Sequence, residues 1–144
     1  MADVTTEKYP AAKNEGQIIS LKMSNVKLYA GTMIGTNTSG YAVNGNDAAA
    51  DIKILGVATE TVDNSGGSAG DLSIRVKAGT YKIEHGGTIT QAMVGELATA
   101  QYNFTLNIAG NTTNDNIAGM VVEYVSATEA WVKMGPEMAE RINA

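Results

Sequence analysis

Hydrophobic and polar residues alternate with period two along most of the chain, which is the pattern of β-strands with one buried face. Apolar side chains occupy every second position in residues 19–23, 72–76 and 104–108. After Ala78 and Gly79 the alternation resumes with Tyr81 and Ile83. Because a short glycine-bearing connection permits a tight reversal, residues 72–83 predict a β-hairpin.

Two stretches, residues 52–57 and 117–125, are apolar at both odd and even positions. This pattern predicts strands covered on both faces, as at the centre of a sandwich or barrel. The two stretches also resemble each other, since ILGVATE at 54–60 parallels IAGMVVE at 117–123. A duplicated half is one interpretation, although seven residues are too few to establish a repeat.

The segments between the strands are rich in glycine and small polar residues, which favour turns and loops. Helical signal is confined to one turn at residues 90–95 and another at 136–142. The chain is therefore predicted to be all-β: a small antiparallel sandwich or barrel with short strands, glycine-rich loops and at most one or two single-turn helices. Residues 1–16 contain few apolar side chains and predict an extended N-terminal arm, ahead of a β core at 17–135 and a short tail at 136–144.

Composition removes most reactive chemistry from consideration. The chain has 144 residues, sixteen glycines, no cysteine, one histidine and a formal net charge of -5. Thiolate chemistry is absent, a multi-histidine metal site cannot form, and an acidic chain repels a nucleic-acid backbone. The oxygen-rich loops at 44–47 and 63–67 lack the carboxylates of a calcium loop. We expect no cofactor, no metal and no direct nucleic-acid partner.

The N-terminal sequence carries charges and no apolar run, so we expect no secretory signal peptide and no membrane partner. Synthesis in a cytoplasm is expected. The glycosylation-type triplets that begin at Asn37, Asn103 and Asn111 then predict turn and strand chemistry instead of glycan attachment.

Two single residues merit separate hypotheses. His85 ends an alternating stretch and precedes two glycines, which favours a surface or turn residue over a general base, although a hydrolase using His85 with a loop serine or aspartate is an alternative. Trp131 shares parity with Lys133 and not with Val132. It therefore predicts either a subunit contact or a strand covered on both faces.

Four blocks of the sequence resemble a known family. They are YAGTMIGTNTSGYAV at 29–43, ILGVATETVDNSGGSAGDLSIRVKAGTYKI at 54–83, GTITQAMVGELA at 87–98 and NIAGMVVEYVSATEAWVKM at 116–134. In content and order they are similar to the capsid decoration, or cement, proteins of tailed bacteriophages. The blocks consist mostly of strands and turn glycines and cover the chain from about Tyr29 onward.

The resemblance implies a non-enzymatic protein on the exterior of a virion capsid, made in the bacterial host cytoplasm. It implies homotrimers at threefold and quasi-threefold positions that clamp the major capsid protein. An extended N-terminal segment that grips the capsid would correspond here to Val4, Tyr9, Pro10, Ile18 and Ile19. A receptor- or glycan-binding virion module is the alternative, and it would require Tyr41, Tyr102 and Trp131 to cluster.

Overall fold

The computed structural model describes residues 2–11 and 18–136, and within them the chain forms twelve strands and a single 3-10 turn at Gln91–Met93. The all-β prediction is confirmed. Most of the predicted C-terminal turn at 136–142 lies outside the described residues. The strands are β1 Ile18–Lys22, β2 Lys27–Leu28, β3 Met33–Thr36, β4 Ala42–Asn44, β5 Lys53–Ala58, β6 Val62–Asp63, β7 Ser73–Lys77, β8 Gly79–His85, β9 Leu97–Tyr102, β10 Thr105–Asn107, β11 Ile117–Ser126 and β12 Glu129–Met134.

The strands form two five-stranded units, which we call the first and second unit. The first is a sheet in the order β1-β7-β5-β3-β4, and the second is a closed barrel in the order β10-β8-β12-β11-β9. The short strands β2 and β6 form a separate ribbon. Named strands pair antiparallel except β10 with β8, so the predicted small antiparallel barrel is confirmed.

The predicted hairpin over residues 72–83 is wrong. β7 pairs with β1 and β5 in the first unit, whereas β8 pairs with β12 and β10 in the second. Only Ala78 separates β7 from β8, and a tight hairpin commonly needs a loop of two residues. Gly79 is not part of a turn, because it pairs with Met134 as the first residue of β8. The chain therefore crosses from one unit to the other at Ala78.

The two stretches that are apolar on both faces form β5 and β11. β5 is the middle strand of the first unit and buries Ile54, Val57 and Ala58, so it is covered on both faces as predicted. β11 meets the prediction only over its first half, because Val122 and Val125 in its second half are exposed.

The pairing register shows that the two units repeat one another. In each, a strand pairs with the glycine-bearing strand through a bulge that skips the residue before the glycine. The matching pairs in the first and second unit are Met33–Val57 and Leu97–Met120, Ile34–Gly56 and Ala98–Gly119, and Gly35–Ile54 and Thr99–Ile117.

The equivalence extends around each unit. The pair Ala58–Val76 in the first unit corresponds to the pair Val121–Val132 in the second. The parallel bridge between Met23 and Ala42 corresponds to the bridge between His85 and Leu106. Strands β1, β7, β5, β3 and β4 thus correspond to β8, β12, β11, β9 and β10. The duplicated half suggested by the two similar heptapeptides is present in the structure as two units of five strands.

A close approach of strands accounts for the glycine shared by the two heptapeptides. A Cβ atom added at Gly56 would overlap the main-chain carbonyl of Lys77, and one added at Gly119 would overlap that of Lys133. Lys77 and Lys133 are themselves at equivalent positions of β7 and β12. Each unit therefore requires the missing side chain for the same packing reason.

The buried apolar residues form two clusters. The smaller cluster joins the first unit to the β2–β6 ribbon and includes Met23, Leu28, Ile34, Ile74 and Val76. The larger cluster joins the units, because residues of β3 and β5 pack with the interior of the barrel. Its members include Met33, Ile54, Val57, Tyr81, Ile83, Ala100, Leu106, Val121 and Val132.

Candidate surface for partner binding

The first residues of the N-terminal arm are held on the core of the same chain. The Asn103 amide N–H donates to Asp3 Oδ1 at 2.8 Å, and the Val4 amide N–H donates to Asn103 Oδ1 at 2.8 Å. Asn46 Nδ2 donates to the other oxygen of Asp3 at 2.8 Å. Val4 also packs against the larger apolar cluster. The start of the arm is thus fixed by both polar and apolar contacts.

Further along, the arm contacts both units. The Lys8 amide donates to the Ala30 carbonyl at 2.7 Å, and the Lys82 amide on β8 donates to the Ala11 carbonyl at 3.0 Å. Gly31 has φ +84°, and a Cβ at this position would overlap the Lys8 carbonyl. The absence of a side chain at Gly31 therefore lets the arm lie directly on the backbone of the first unit.

Glu7 ties the arm to the loop before β6. Thr61 Oγ1 donates to Glu7 Oε2 at 2.7 Å, and the Tyr9 hydroxyl donates to Glu7 Oε1 at 3.0 Å. The hydrogen bond from Thr61, followed by that from Tyr9, lowers the pKa of Glu7 below its ordinary value. The same contact with Glu7 raises the pKa of Tyr9. The arm is consequently held by the charged form of Glu7.

The structure places the five predicted contact residues in different environments. Tyr9 is 82% exposed and Ile18 is 59% exposed, whereas Val4 and Pro10 are half-buried. Ile19 is half-buried against the smaller apolar cluster of its own chain. Residues 12–16 of the predicted arm lie outside the described residues. Of the five, Tyr9 and Ile18 present the most apolar surface to solvent.

Trp131 lies on the outer face of the barrel, in a row with Lys82 of β8 and Glu123 of β11. Its neighbours Ala130 and Val132 are buried, while Trp131 is half-buried. The outward direction that its parity predicted is therefore observed. Val122 and Val125, both more than a third exposed, lie on the adjacent β11. The role of Trp131 as a subunit contact remains a prediction.

His85 is a buried turn residue whose ring nitrogens are both engaged. Its exposed fraction is 1%. Nδ1 accepts a hydrogen bond from the Gly87 amide at 3.0 Å, and Nε2 lies 2.9 Å from the Ser126 carbonyl. The first contact requires a lone pair on Nδ1, so the ring proton is on Nε2 and is donated to Ser126. The histidine fixes a turn, which leaves the hydrolase hypothesis without its base.

Asparagines in the loops are used to fix backbone conformation. Asn37 Oδ1 accepts from the amides of Ser39 and Tyr41, and buried Asn103 anchors the arm. The interpretation as turn chemistry is confirmed at Asn37, whereas the side chain of Asn103 binds the distant arm instead of its own turn. Asn116, also buried, binds the carbonyls of Asn46 and Ala49. The anchoring role of Asp3 and Asn103 was missed from the sequence, because it joins residues 100 positions apart.

The three residues of the glycan-binding alternative lie on different elements. Tyr41 precedes β4 in the first unit, Tyr102 ends β9, and Trp131 lies on β12. In the described part of the chain, no group of three or more histidine, aspartate or glutamate side chains could hold a metal ion. Across residues 2–11 and 18–136, no helix is long and apolar enough to cross a membrane.

Comparison with known proteins adds no relative: no protein-family model matches the sequence, and no curated protein matches it significantly.

Proposed function

We propose that this protein is a non-enzymatic decoration, or cement, protein that binds the outer surface of an assembled bacteriophage capsid. Its partner is the major capsid protein, and it binds as a homotrimer at threefold and quasi-threefold sites. It is made in the cytoplasm of the bacterial host and ends on the exterior of the virion. The order of sequence blocks described above supports this assignment.

The observation that carries the proposal is the exposure of apolar side chains near the N-terminus. Tyr9 and Ile18 are 82% and 59% exposed, although residues 2–11 are hydrogen-bonded to the core and Ile18 is the first residue of β1. Large apolar side chains presented on an ordered surface are typical of protein-binding sites. An anchored arm also loses less conformational entropy on binding than a free one would.

The energetics fit a lattice-binding protein. Burying an apolar side chain of this size contributes about 1.5–3 kcal/mol when the burial is complete. A single copy of the protein would therefore bind weakly, because Tyr9 and Ile18 together contribute about 2–5 kcal/mol. Three copies of the contact in a trimer raise the avidity by about 10² or more. Such binding stabilises the assembled shell because separated capsid subunits do not offer the same three sites.

The test is binding of purified protein to phage heads that lack it. A Tyr9→Ser and Ile18→Ser double variant should lose at least about tenfold in occupancy, because both apolar anchors are removed. Leu72→Ser is the matched control, since Leu72 is 44% exposed and lies outside the arm. Full occupancy by the double variant, or an equal loss in the control, would contradict the proposal.

A further inference from the structure

The internal repeat makes it possible to compare equivalent strand edges in the two units. β8 of the second unit corresponds to β1 of the first. Lys82 of β8 pairs with Trp131, and at the equivalent position of β1, Ser20 pairs with Arg75. The Lys82 amide points away from β12 and binds the Ala11 carbonyl of the arm at 3.0 Å. In the second unit, Ala11 of the arm therefore meets this edge.

On β1, the main-chain N–H and C=O groups of Ser20 also point away from the neighbouring strand β7. The Arg75 carbonyl binds the Thr59 amide and the Arg75 amide binds Glu60, so both main-chain groups of Arg75 point away from β1. In an antiparallel ladder the opposite residue of such a pair also points outward. The main-chain groups of Ser20 are therefore directed away from β7. Within residues 2–11 and 18–136, β1 meets a strand on that side only at Met23.

The side chains next to this edge are less buried than their equivalents on β8. Tyr81 and Ile83 of β8 are 6% and 0% exposed, whereas their equivalents Ile19 and Leu21 on β1 are both half-buried. Ile19 and Leu21 face the smaller apolar cluster. An added strand would cover them and would also bind the Ser20 main chain.

The charge beside the edge defines the segment that fits. β1 and β7 together carry Lys22, Arg75 and Lys77 and contain no carboxylate. Arg75 pairs with Glu60 at 3.2 Å, so the net positive charge beside the edge comes from Lys22 and Lys77. Lys77 faces Ile18 and Arg75 faces Ser20, which places these basic groups on the outer face, opposite to the face of Ile19. A second copy of β1 would bring the same positive charges together and is therefore disfavoured.

We infer that the β1 edge at Ser20 accepts an extended strand from a different protein, with apolar side chains alternating with acidic ones. The apolar side chains would lie beside Ile19 and Leu21, and the acidic ones beside Lys22 and Lys77. This is β-strand addition, in which main-chain hydrogen bonds give affinity and alternate side chains give specificity. The identification of the donor strand as part of a capsid subunit rests on the function proposed above. The prediction that this edge binds an acidic, apolar-alternating strand does not depend on that function.

The experiment uses the full-length protein and the fluorescein-labelled peptide EVEVEVE, followed by fluorescence anisotropy. The wild type should bind EVEVEVE at least about tenfold more tightly than the peptide KVKVKVK. Ser20→Pro should lose at least about tenfold in affinity, because proline removes the outward amide while leaving the ladder to β7 intact. Ser20→Ala keeps the amide and should bind like the wild type.

A charge-reversed variant, Lys22→Glu with Lys77→Glu, covers the case in which Ser20→Pro does not fold. It should prefer KVKVKVK over EVEVEVE. Equal binding of the two peptides by the wild type, or an unchanged preference in the charge-reversed variant, would overturn the inference. The wild type and the charge-reversed variant are also tested for binding to decoration-free heads, which separates the two proposals. Failure of the wild type to bind heads refutes the capsid function. The peptide result alone tests whether the β1 edge accepts an acidic strand.

Discussion

Replacing Gly31 with alanine should detach the N-terminal arm, and Gly40 provides a matched control. Both glycines have φ +84°, so alanine introduces the same left-handed backbone strain at each position, about 1–2 kcal/mol. Nothing lies within 4 Å of a Cβ at Gly40, whereas a Cβ at Gly31 overlaps the Lys8 carbonyl. The difference between the two variants therefore isolates the contact with the arm.

The size of that difference follows from the hydrogen bonds that the arm must give up. Moving Lys8 away from residue 31 breaks its bond to Ala30 and draws Glu7 away from Thr61. The main-chain bond between Lys8 and Ala30 contributes about 0.5–1.5 kcal/mol net. Gly31→Ala should thus be at least about 0.5–1.5 kcal/mol less stable than Gly40→Ala, which corresponds to about 1.5–4.5 °C in melting temperature for a chain of this size.

Two measurements test this reasoning. Denaturant unfolding gives the free energy of each variant, and limited trypsin digestion reports access to the bond after Lys8. Because cleavage follows local opening of the arm, the Gly31→Ala protein should be cut there about two- to tenfold faster than the Gly40→Ala protein. Equal stabilities together with equal cleavage rates would refute the docking of the arm on Gly31.

Four further predictions concern the interior, the repeat, the arm and the outer face. Met23 of the first unit is equivalent to His85 of the second, so His85→Met gives both units the same residue at this position. It should lower the free energy of unfolding by about 2–4 kcal/mol in denaturant titrations, because Gly87 and Ser126 lose their hydrogen-bond partner. Gly56→Ala and Gly119→Ala should each be destabilised by at least about 1–3 kcal/mol, since each Cβ overlaps a neighbouring strand, and Gly66→Ala, with open space around it, should melt like the wild type. Because the folded-state pKa of Glu7 is lowered, its stabilisation of the arm is fully present above the unfolded pKa of about 4.5 and is lost as pH falls through the folded-state pKa. In an NMR pH titration, the resonances of Thr61 should shift as the arm is released in the wild type, and should not shift in Glu7→Gln. Trp131→Ala should shift sedimentation toward smaller species with little change in the melting temperature of the protomer, and a large loss of protomer stability with unchanged sedimentation would place the indole within the protomer core instead.

Period-two alternation predicted most strands and much of their buried faces, but not their partners. Leu72, which shares parity with Ile74, precedes β7 and is 44% exposed. Ile74 and Val76 are buried as their parity predicted, and so are Phe104 and Leu106. Alternation records which face of a strand is buried and contains no information on the neighbouring strand. That is why residues 72–83 were predicted as a hairpin although they run through both units.

The repeat was visible in sequence only where packing allows little choice. Gly56 and Gly119 both lie where a neighbouring carbonyl excludes a side chain, and they anchor the similar heptapeptides. At equivalent positions where only register is required, Ala98 corresponds to Ile34 and Val121 to Ala58. Many apolar residues satisfy such positions, so the sequences of the two units have little else in common.

The contacts of the arm could not be predicted because they join distant parts of the chain. Asp3 meets Asn103, and Glu7 meets Thr61, through side chains that leave no periodic signal. The low apolar content of residues 1–16 predicts a segment without a core of its own, either free or docked on a partner. Residues 2–11 are instead docked on their own chain.

Divergence between the two units separates contacts within the chain from contacts with a partner. Two identical units would have identical edges, and an arm able to lie along one could lie equally along the other. Here Lys82 of the second unit binds the arm, while the equivalent Ser20 lies beside Lys22 and Lys77 on an edge that the described residues meet only at Met23. The positive charge favours an acidic strand over a second copy of β1. Duplication followed by this divergence gives one protein an edge occupied by its own arm and an edge suited to another chain.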